Sequence, residues 1–334
     1  MFESGEYMKN KNIFLIILSI FIIMTCFVSC NSQEEKIKIG VLQLIQHPAL
    51  DDANKGFIEA LKDRGYIDGE NIEIDQKNAQ GKIDIANQIA GQFVTDDKDL
   101  IFTIATPSTQ AACNATDEIP IVYTAVTDPV TDGLVKSMKS SGNNVTGTSD
   151  AVSIKEQLEL LKKLMPEAKT VGVIYTTSET NSVNQVKELN KLSKKYDLKI
   201  KEIGVSNINE INQNLTNGLE GVDVLYAPTD NNVAASYELV AKICLEYKVP
   251  MMAAEPAAIE AGGFICKGID YYELGKMAGC KAADILDGKS PTDIESETME
   301  ELKITINKDV ANKLEIEIPE DVLKDAEVVT GGVD

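Results

Sequence analysis

The sequence predicts an α/β protein of two Rossmann-like lobes with a hinge and a cleft between them. Three observations lead there. After residue 36, short apolar runs alternate with stretches whose apolar residues recur at helical spacing. The alternation restarts near Ser153 with similar length and plan. In both halves the apolar runs end in clusters of hydroxyl, amide and carboxylate residues. Repeated strand–helix units build parallel sheets covered by helices on both faces. Ligands of such sheets bind beyond the carboxyl ends of the strands.

In chain order, Lys36–Leu44 reads as a buried strand. Pro48–Gly65 reads as a helix, with Leu50, Ala53, Phe57, Ala60 and Leu61 on one face and Gly65 at its stop. Strand Asn71–Asp75, helix Ile83–Val94 and buried strand Leu100–Thr106 follow. Pro107 opens a helix at a position where proline is favoured. Ile119–Val126 is a strand and Val145–Asp150 a short crossing strand. The second run predicts helix Ser153–Leu164, strand Thr170–Thr176, helix Val183–Lys195 and strand Leu198–Val205. Helix Ile208–Leu219, strand Val222–Ala227 and helix Val233–Tyr247 come next, then strands Pro250–Ala254 and Gly263–Ile269. Helix Tyr271–Leu286 ends at Gly288, and strand Leu302–Ile306 precedes the tail.

Composition narrows the function. The 334 residues carry 32 Lys plus Arg against 53 Asp plus Glu, a formal charge of −21. Nucleic acid is a poor partner for that balance, because its backbone is neutralised by clustered cations. A single His, His47, leaves no multi-histidine metal site, so no metal or other cofactor is expected. The one Arg, Arg64, lies at the end of the first helix and reads as a surface cation. A bidentate guanidinium clamp on a carboxylate is therefore not expected. Motifs of α/β enzymes, G-x-S-x-G, the P-loop and G-x-G-x-x-G at a strand–helix turn, do not occur. No catalytic residue is proposed.

The N-terminus reads as an export signal. Ile13–Val28 is an apolar run, short for a membrane-spanning helix and preceded by Lys9 and Lys11. Met8 is an alternative start to Met1. The run ends in Val28-Ser29-Cys30, which resembles a bacterial lipobox and makes Cys30 the expected acylated first mature residue. Residues 1–29 are then a lipoprotein signal peptide and 30–35 a polar tether. The expected location is the outer face of the cell membrane. Cys113, Cys244, Cys266 and Cys280 sit in apolar segments without C-x-x-C spacing and read as buried free thiols.

The candidate site follows from the strand ends. Gln43 and His47 follow the first strand; Thr106, Ser108 and Thr109 follow LIFTI; Thr124 and Asp128 follow IPIVY. In the second half Glu179, Asn181 and Ser182 follow VGVIY, Asp230 and Asn231 follow VLY, and Glu255 follows MMAA. Ser149 and Asp270 mark the crossings between lobes. Hydroxyls at a helix start leave N–H groups for an anion, so Thr106–Thr109 could hold a ligand carboxylate. Asp230, ranked above Glu255 and Asp128, could face an ammonium group. His47 could stack on a ligand or donate a hydrogen bond, or simply lead into the helix opened by Pro48. Each of these residues can also cap a helix or shape a turn. Their recurrence on both lobes is what points to a shared cleft.

Six segments carry a family resemblance: residues 46–66 (QHPALDDANKGFIEALKDRGY), 105–130 (ATPSTQAACNATDEIPIVYTAVTDPV), 143–150 (NNVTGTSD), 171–182 (VGVIYTTSETNS), 226–233 (YAPTDNNV) and 268–275 (GIDYYELG). Together and in order they resemble the ABC-transporter substrate-binding lipoproteins related to the tryptophan- and tyrosine-binding proteins of Gram-positive bacteria. The resemblance spans nearly all of residues 36–318. It implies the type I periplasmic-binding-protein fold, capture of a small ligand, often an aromatic amino acid, and delivery to an ABC permease and its ATPase. The Glu often found before the family's His-Pro is Gln46 here, one charge fewer near the cleft. The fold implies discontinuous lobes, 36–148 plus 267–292 and 149–266 plus 293–334, with hinges near Thr148–Asp150, Cys266–Asp270 and Pro291. A surface adhesin or ligand sensor would keep the same fold and anchor; a neighbouring permease gene would mark transport.

Overall fold

The computed structural model describes residues 35–332. The expected signal peptide, Cys30 and most of the tether lie outside them. Among the described residues no helix is long and apolar enough to cross a membrane.

The first sheet takes strands β1 (Ile37–Gln43), β2 (Ile72–Asn78), β3 (Leu100–Ile104), β4 (Ile121–Thr124), β5 (Val145–Ser149) and β11 (Glu297–Thr298). Its order is β11-β5-β4-β3-β1-β2, with parallel pairing throughout. Helices α1 (Pro48–Asp63), α2 (Ile83–Thr95) and α3 (Thr106–Ala115) make the crossovers. β3 is buried at all five positions, as its unbroken apolar run requires of a central parallel strand. Phe57 of α1 stacks on Phe102 of β3 with ring centroids 3.6 Å apart.

The second sheet takes β6 (Thr170–Thr176), β7 (Lys199–Val205), β8 (Val224–Ala227), β9 (Met251–Ala253), β10 (Ile265–Gly268), β12 (Lys303–Asn307) and β13 (Ala326–Val329), in the order β13-β12-β10-β9-β8-β6-β7. Only β10 and β12 pair antiparallel. Helices α4 (Ile154–Leu164), α5 (Thr180–Ser193), α6 (Ile211–Gly218), α7 (Asn231–Ala234), α8 (Tyr237–Glu246) and α9 (Ala257–Glu260) surround it. Helix α10 (Tyr271–Leu286) returns to the first lobe, and α11 (Lys308–Lys313) and α12 (Glu320–Lys324) close the chain. Each lobe has its own core, one spanning Ile39 to Val145 plus Ile269–Ile294, the other built from Ile154 onward.

The third crossing departs from the sequence reading. Glu297–Thr298 pairs with Thr148–Ser149 and extends the first sheet, so the chain crosses between Thr298 and Lys303 rather than near Pro291. A two-residue strand leaves almost no periodic signal. The expected helix Val233–Tyr247 is two helices, because the chain breaks at Ala235–Ser236. The segments α9, α11, α12 and β13 were not expected; the helices among them are of six residues or fewer. Cys113, Cys244, Cys266 and Cys280 are free, but Cys280 is exposed and Cys113 half-buried. Cys280 lies on the outer side of α10, whose inner side is taken by α1.

Helix α10 seats on α1 through glycines. A Cβ on Gly275 would lie 1.9 Å from the Ala53 carbonyl oxygen, and one on Gly56 2.1 Å from that of Tyr272. At the far end, Arg64 pairs with Asp284 and Asp287 at 3.0 and 2.6 Å. Arg64 is thus a surface cation with a clasping contact. Gly275→Ala should lower stability by about 1–3 kcal/mol, the usual range for overpacking. Gly91→Ala, in α2 with nothing within 4 Å of its Cβ, should raise it by about 0.5–1 kcal/mol. Thermal or urea unfolding of the two variants checks the signs; equal effects would contradict this packing.

Candidate functional site

The carboxyl ends of both sheets face each other, and a small cavity lies between them. Leu50, Ala125, Thr127, Asp150 and Tyr271 line it from the first lobe and the crossings; Asn181, Thr229, Asn231 and Glu255 line it from the second. Two alanines at adjacent strand ends take backbone conformations that favour glycine: Ala105 at φ 83°, ψ 153° and Ala125 at φ 54°. Such strain gathers at ligand clamps and similar sites, where the surroundings hold it in place.

Sequence-expected residues divide into three groups. The first has buried polar atoms without a hydrogen-bond partner, or lies on the cavity wall; of these Asn181, Asn231 and Glu255 line the cavity and His47 a separate pocket. Thr106 Oγ1 and Ser108 Oγ, at the start of α3, are buried and unpartnered. Asn181 Oδ1 and Glu255 Oε2 are likewise unpartnered, as are both ring nitrogens of His47. Asn231 sits on the cavity wall with its amide turned to Glu179.

The second group lies just behind the wall and is spoken for. Asp230 accepts from Thr176 N at 2.5 Å, Thr176 Oγ1 at 2.8 Å and Val233 N at 3.0 Å. It caps α7 and ties that helix to the end of β6, so its carboxylate is already hydrogen-bonded on both oxygens. Glu179 accepts from the backbone and side chain of Asn231 and from Asn232. Ser182 donates to Thr229 O at 3.5 Å. Thr109 Oγ1 sits 2.9 Å from Thr103 Oγ1 and donates to Ala105 O.

The third group points elsewhere. Gln43 donates to Ile45 O at 2.9 Å and Asp51 at 2.7 Å. Thr124 accepts from Thr148, and Ser149 donates to Thr127 O. Asp128 is half-buried and caps the turn at Thr131. Asp270 caps α10 and pairs with Lys303 at 3.4 Å, beside a separate surface pocket.

Sequence reading passed over Asp150 as a ligand contact, placing it only at the hinge. Its Oδ2 accepts from Tyr271 at 2.9 Å while Oδ1 has no partner, and the residue is 3% exposed. The signal available was an acidic residue ending the crossing strand. Tyr237 was also passed over; its buried hydroxyl lies against Glu255.

Electrostatically the cleft is a buried acidic set. Burial raises Asp150, Asp230 and Glu255, and for Glu255 the charges of Asp150, Asp230 and Glu179 add to it. Burial, then the charge of Asp230, pushes Glu179 up to about 8, against hydrogen bonds from Asn231 and Asn232. Neither Lys nor Arg is among the residues lining the cavity. Among the described residues no group of His, Cys, Asp or Glu is arranged to hold a metal ion.

Three hydrogen bonds join the lobes around this cavity. Thr127 Oγ1 lies 3.0 Å from Thr229 Oγ1. Gln110 donates to Thr180 Oγ1 at 3.0 Å, and Asn184 to Asp132 Oδ1 at 3.1 Å.

Residues 38–330 match the family model described as ABC transporter substrate binding protein. A curated tyrosine-binding protein of Clostridioides difficile is 49% identical over 287 residues, 86% of this chain and 83% of that protein. Among solved structures, an ABC domain from Streptococcus pneumonia in complex with L-Trp is 36% identical with a TM-score of 0.85, covering 88% of this chain and 100% of that one. A ligand-free, open substrate-binding protein with adhesive properties from Clostridium difficile is 47% identical with a TM-score of 0.66, covering 88% and 99%.

The Glu179 shift gives a pH dependence. Its folded value, about 8, lies above the ordinary 4.5. The stability it contributes is complete below the ordinary value and is lost as pH rises through the folded one. The melting temperature of ligand-free protein should therefore fall between about pH 5 and pH 9. Glu179→Gln should flatten that fall. Identical slopes in the two proteins would assign the titration to another group.

Proposed function

Since the chain belongs to the ABC transporter substrate-binding protein family, we propose that it captures an aromatic amino acid, tyrosine or tryptophan, in the interlobe cleft and delivers it to an ABC permease and ATPase. The family is one of binding proteins rather than enzymes, and we read this chain the same way. The lobes have the type I periplasmic-binding-protein architecture.

One observation carries the amino-acid reading: carboxylates buried in the cleft with open acceptor oxygens and no cation lining the cavity. An uncompensated buried carboxylate is costly, and a ligand ammonium is the natural counter-charge. Asp150 Oδ1 and Glu255 Oε2 are the open acceptors. We therefore assign the ammonium to these two rather than to Asp230, whose oxygens serve Thr176 and Val233. The ligand carboxylate is assigned to the start of α3. There Thr106 and Ser108 offer unpartnered hydroxyls beside the free N–H groups of a helix N-terminus. No arginine is needed for this.

The lobe arrangement supports a closed form, whose cavity of about 10 Å³ must open to admit an amino acid. The chain superimposes better on the tryptophan complex than on the open relative, although the open relative is nearer in sequence. Sequence distance alone would give the opposite order. The three interlobe hydrogen bonds are contacts that opening would break.

We also assign export and a lipid anchor on Cys30, from the apolar run and the Val-Ser-Cys that ends it. Cys30→Ala should lose labelled palmitate and shed into the medium; retained labelling contradicts the anchor.

Calorimetry of ligand-stripped protein against the twenty amino acids tests the ligand. Tyrosine or tryptophan should bind most tightly. Hydrogen bonds to a charged group are worth about 1.5–3 kcal/mol, so Asp150→Asn and Glu255→Gln should each weaken binding roughly 10-fold to 150-fold. Unchanged ligand-free melting would show that the loss is local. Tight binding of a sugar or an oligopeptide, with no amino-acid response, would overturn the reading.

A further inference from the structure

Four carboxylates meet where one ligand ammonium is to be held. Asp150 and Glu255 line the same cavity, and each has one buried oxygen without a partner. Glu179 and Asp230 lie directly behind them. Asn231, on the cavity wall, donates to Glu179 and follows Asp230 in the chain. None of the four acids is more than 3% exposed. The other titratable groups that face them bring no positive charge. Tyr237 and Cys266 lie against Glu255, and Tyr271 donates to Asp150. Burial keeps all three of these neutral. His47, beside Asn231, is neutral as well, because burial lowers its pKa to about 4 against smaller opposing effects of Asn231 and Asp51. Neither Lys nor Arg is among the lining residues. One ammonium balances one carboxylate, so the set carries more negative charge than its ligand can offset.

We propose that closing the lobes on the ligand takes up protons from solvent onto the set Asp150, Glu179, Asp230 and Glu255, so that the ligand is held more tightly in mildly acidic than in alkaline surroundings. This rests on the amino-acid reading above and adds a proton to its equilibrium. With the lobes apart, water reaches the cleft and solvates ionised carboxylates. Closure removes that water, and neighbouring like charges then cannot all stay ionised. One carboxylate remains ionised against the ammonium, and the surplus binds protons. Glu179 shows the direction, since burial and then the charge of Asp230 push it up to about 8. The closed form therefore binds more protons than the open one. Linkage makes binding strongest near the ordinary carboxylate value, and affinity is lost as pH rises through the raised one.

Calorimetric titration of ligand-stripped protein with tyrosine counts the protons when it is run at one pH in two buffers of different ionisation enthalpy. At about pH 7 the two apparent enthalpies should differ by the amount that corresponds to uptake of roughly half a proton or more. Between about pH 5.5 and pH 7.5, Kd should rise by up to about tenfold per pH unit for each proton taken up. His47 is already neutral across that range. Glu179→Gln and Asp230→Asn keep an acceptor for the donors behind the wall and remove one titrating acid each. They should still bind tyrosine and take up fewer protons. A purely structural role would change affinity without changing the proton count. Should a variant fail to fold, the wild-type buffer comparison decides alone. Equal enthalpies in the two buffers, or net proton release, would overturn the inference and leave amino-acid binding standing. Uptake unchanged in both variants would place the proton outside this set and overturn it as well. If no amino acid binds, the amino-acid reading itself fails, and this inference with it.

Discussion

The structure is organised around the cost of burying like charges. Asp150, Glu179, Asp230 and Glu255 are all under 4% exposed in the described chain. Each has its ionised form disfavoured by burial. Two of them, Asp230 and Glu179, are satisfied by a lattice of donors from Thr176, Asn231, Asn232 and Val233. That lattice ties the end of β6 to α7. The other two keep an open oxygen on the cavity. In the proposed function these two open acceptors are what a ligand ammonium would meet. The division of labour among four acids is set by where the backbone donors are, not by residue type.

The sheet topology makes the division possible. Parallel strands from both lobes aim their carboxyl ends at one space, and the crossings place Asp150 and Tyr271 at its floor. Tight seating of α10 on α1 through Gly56 and Gly275 fixes Tyr271, which in turn orients Asp150. The interlobe bonds made by Gln110 and Asp132 lie outside the cavity lining, whereas Thr127 and Thr229 line it beside Asp150. Closure and the cavity wall thus share Thr127 and Thr229.

Most of the fold was legible because period and punctuation agree. LIFTI and VGVIY are uninterrupted apolar runs, and Pro48, Pro107 and Gly288 mark helix ends. What escaped was too short to carry a period, such as Glu297–Thr298, or was broken by local geometry, as at Ser236. The site was legible as a neighbourhood and not as a set of roles. Strand-end position singles out Asn181 and Glu255, which line the cavity, and Thr106 and Ser108, whose hydroxyls have no partner, alongside Gln43, Thr124 and Asp270, which serve other contacts. Position along the chain cannot say which acid meets a backbone N–H. Asp230 reads from sequence as aimed at the cleft, and it is captured by Thr176, 54 residues away. Asp150 reads as a hinge residue, and Tyr271, 121 residues away, takes one of its oxygens.

The central claim is that the buried acids require a ligand ammonium. Calorimetric comparison of tyrosine with its analogue lacking only the amino group tests it most directly. The account predicts that 3-(4-hydroxyphenyl)propionate binds at least about 100-fold more weakly than tyrosine, since it leaves Asp150 and Glu255 without a counter-charge. Binding of the two within a few-fold of each other would contradict it.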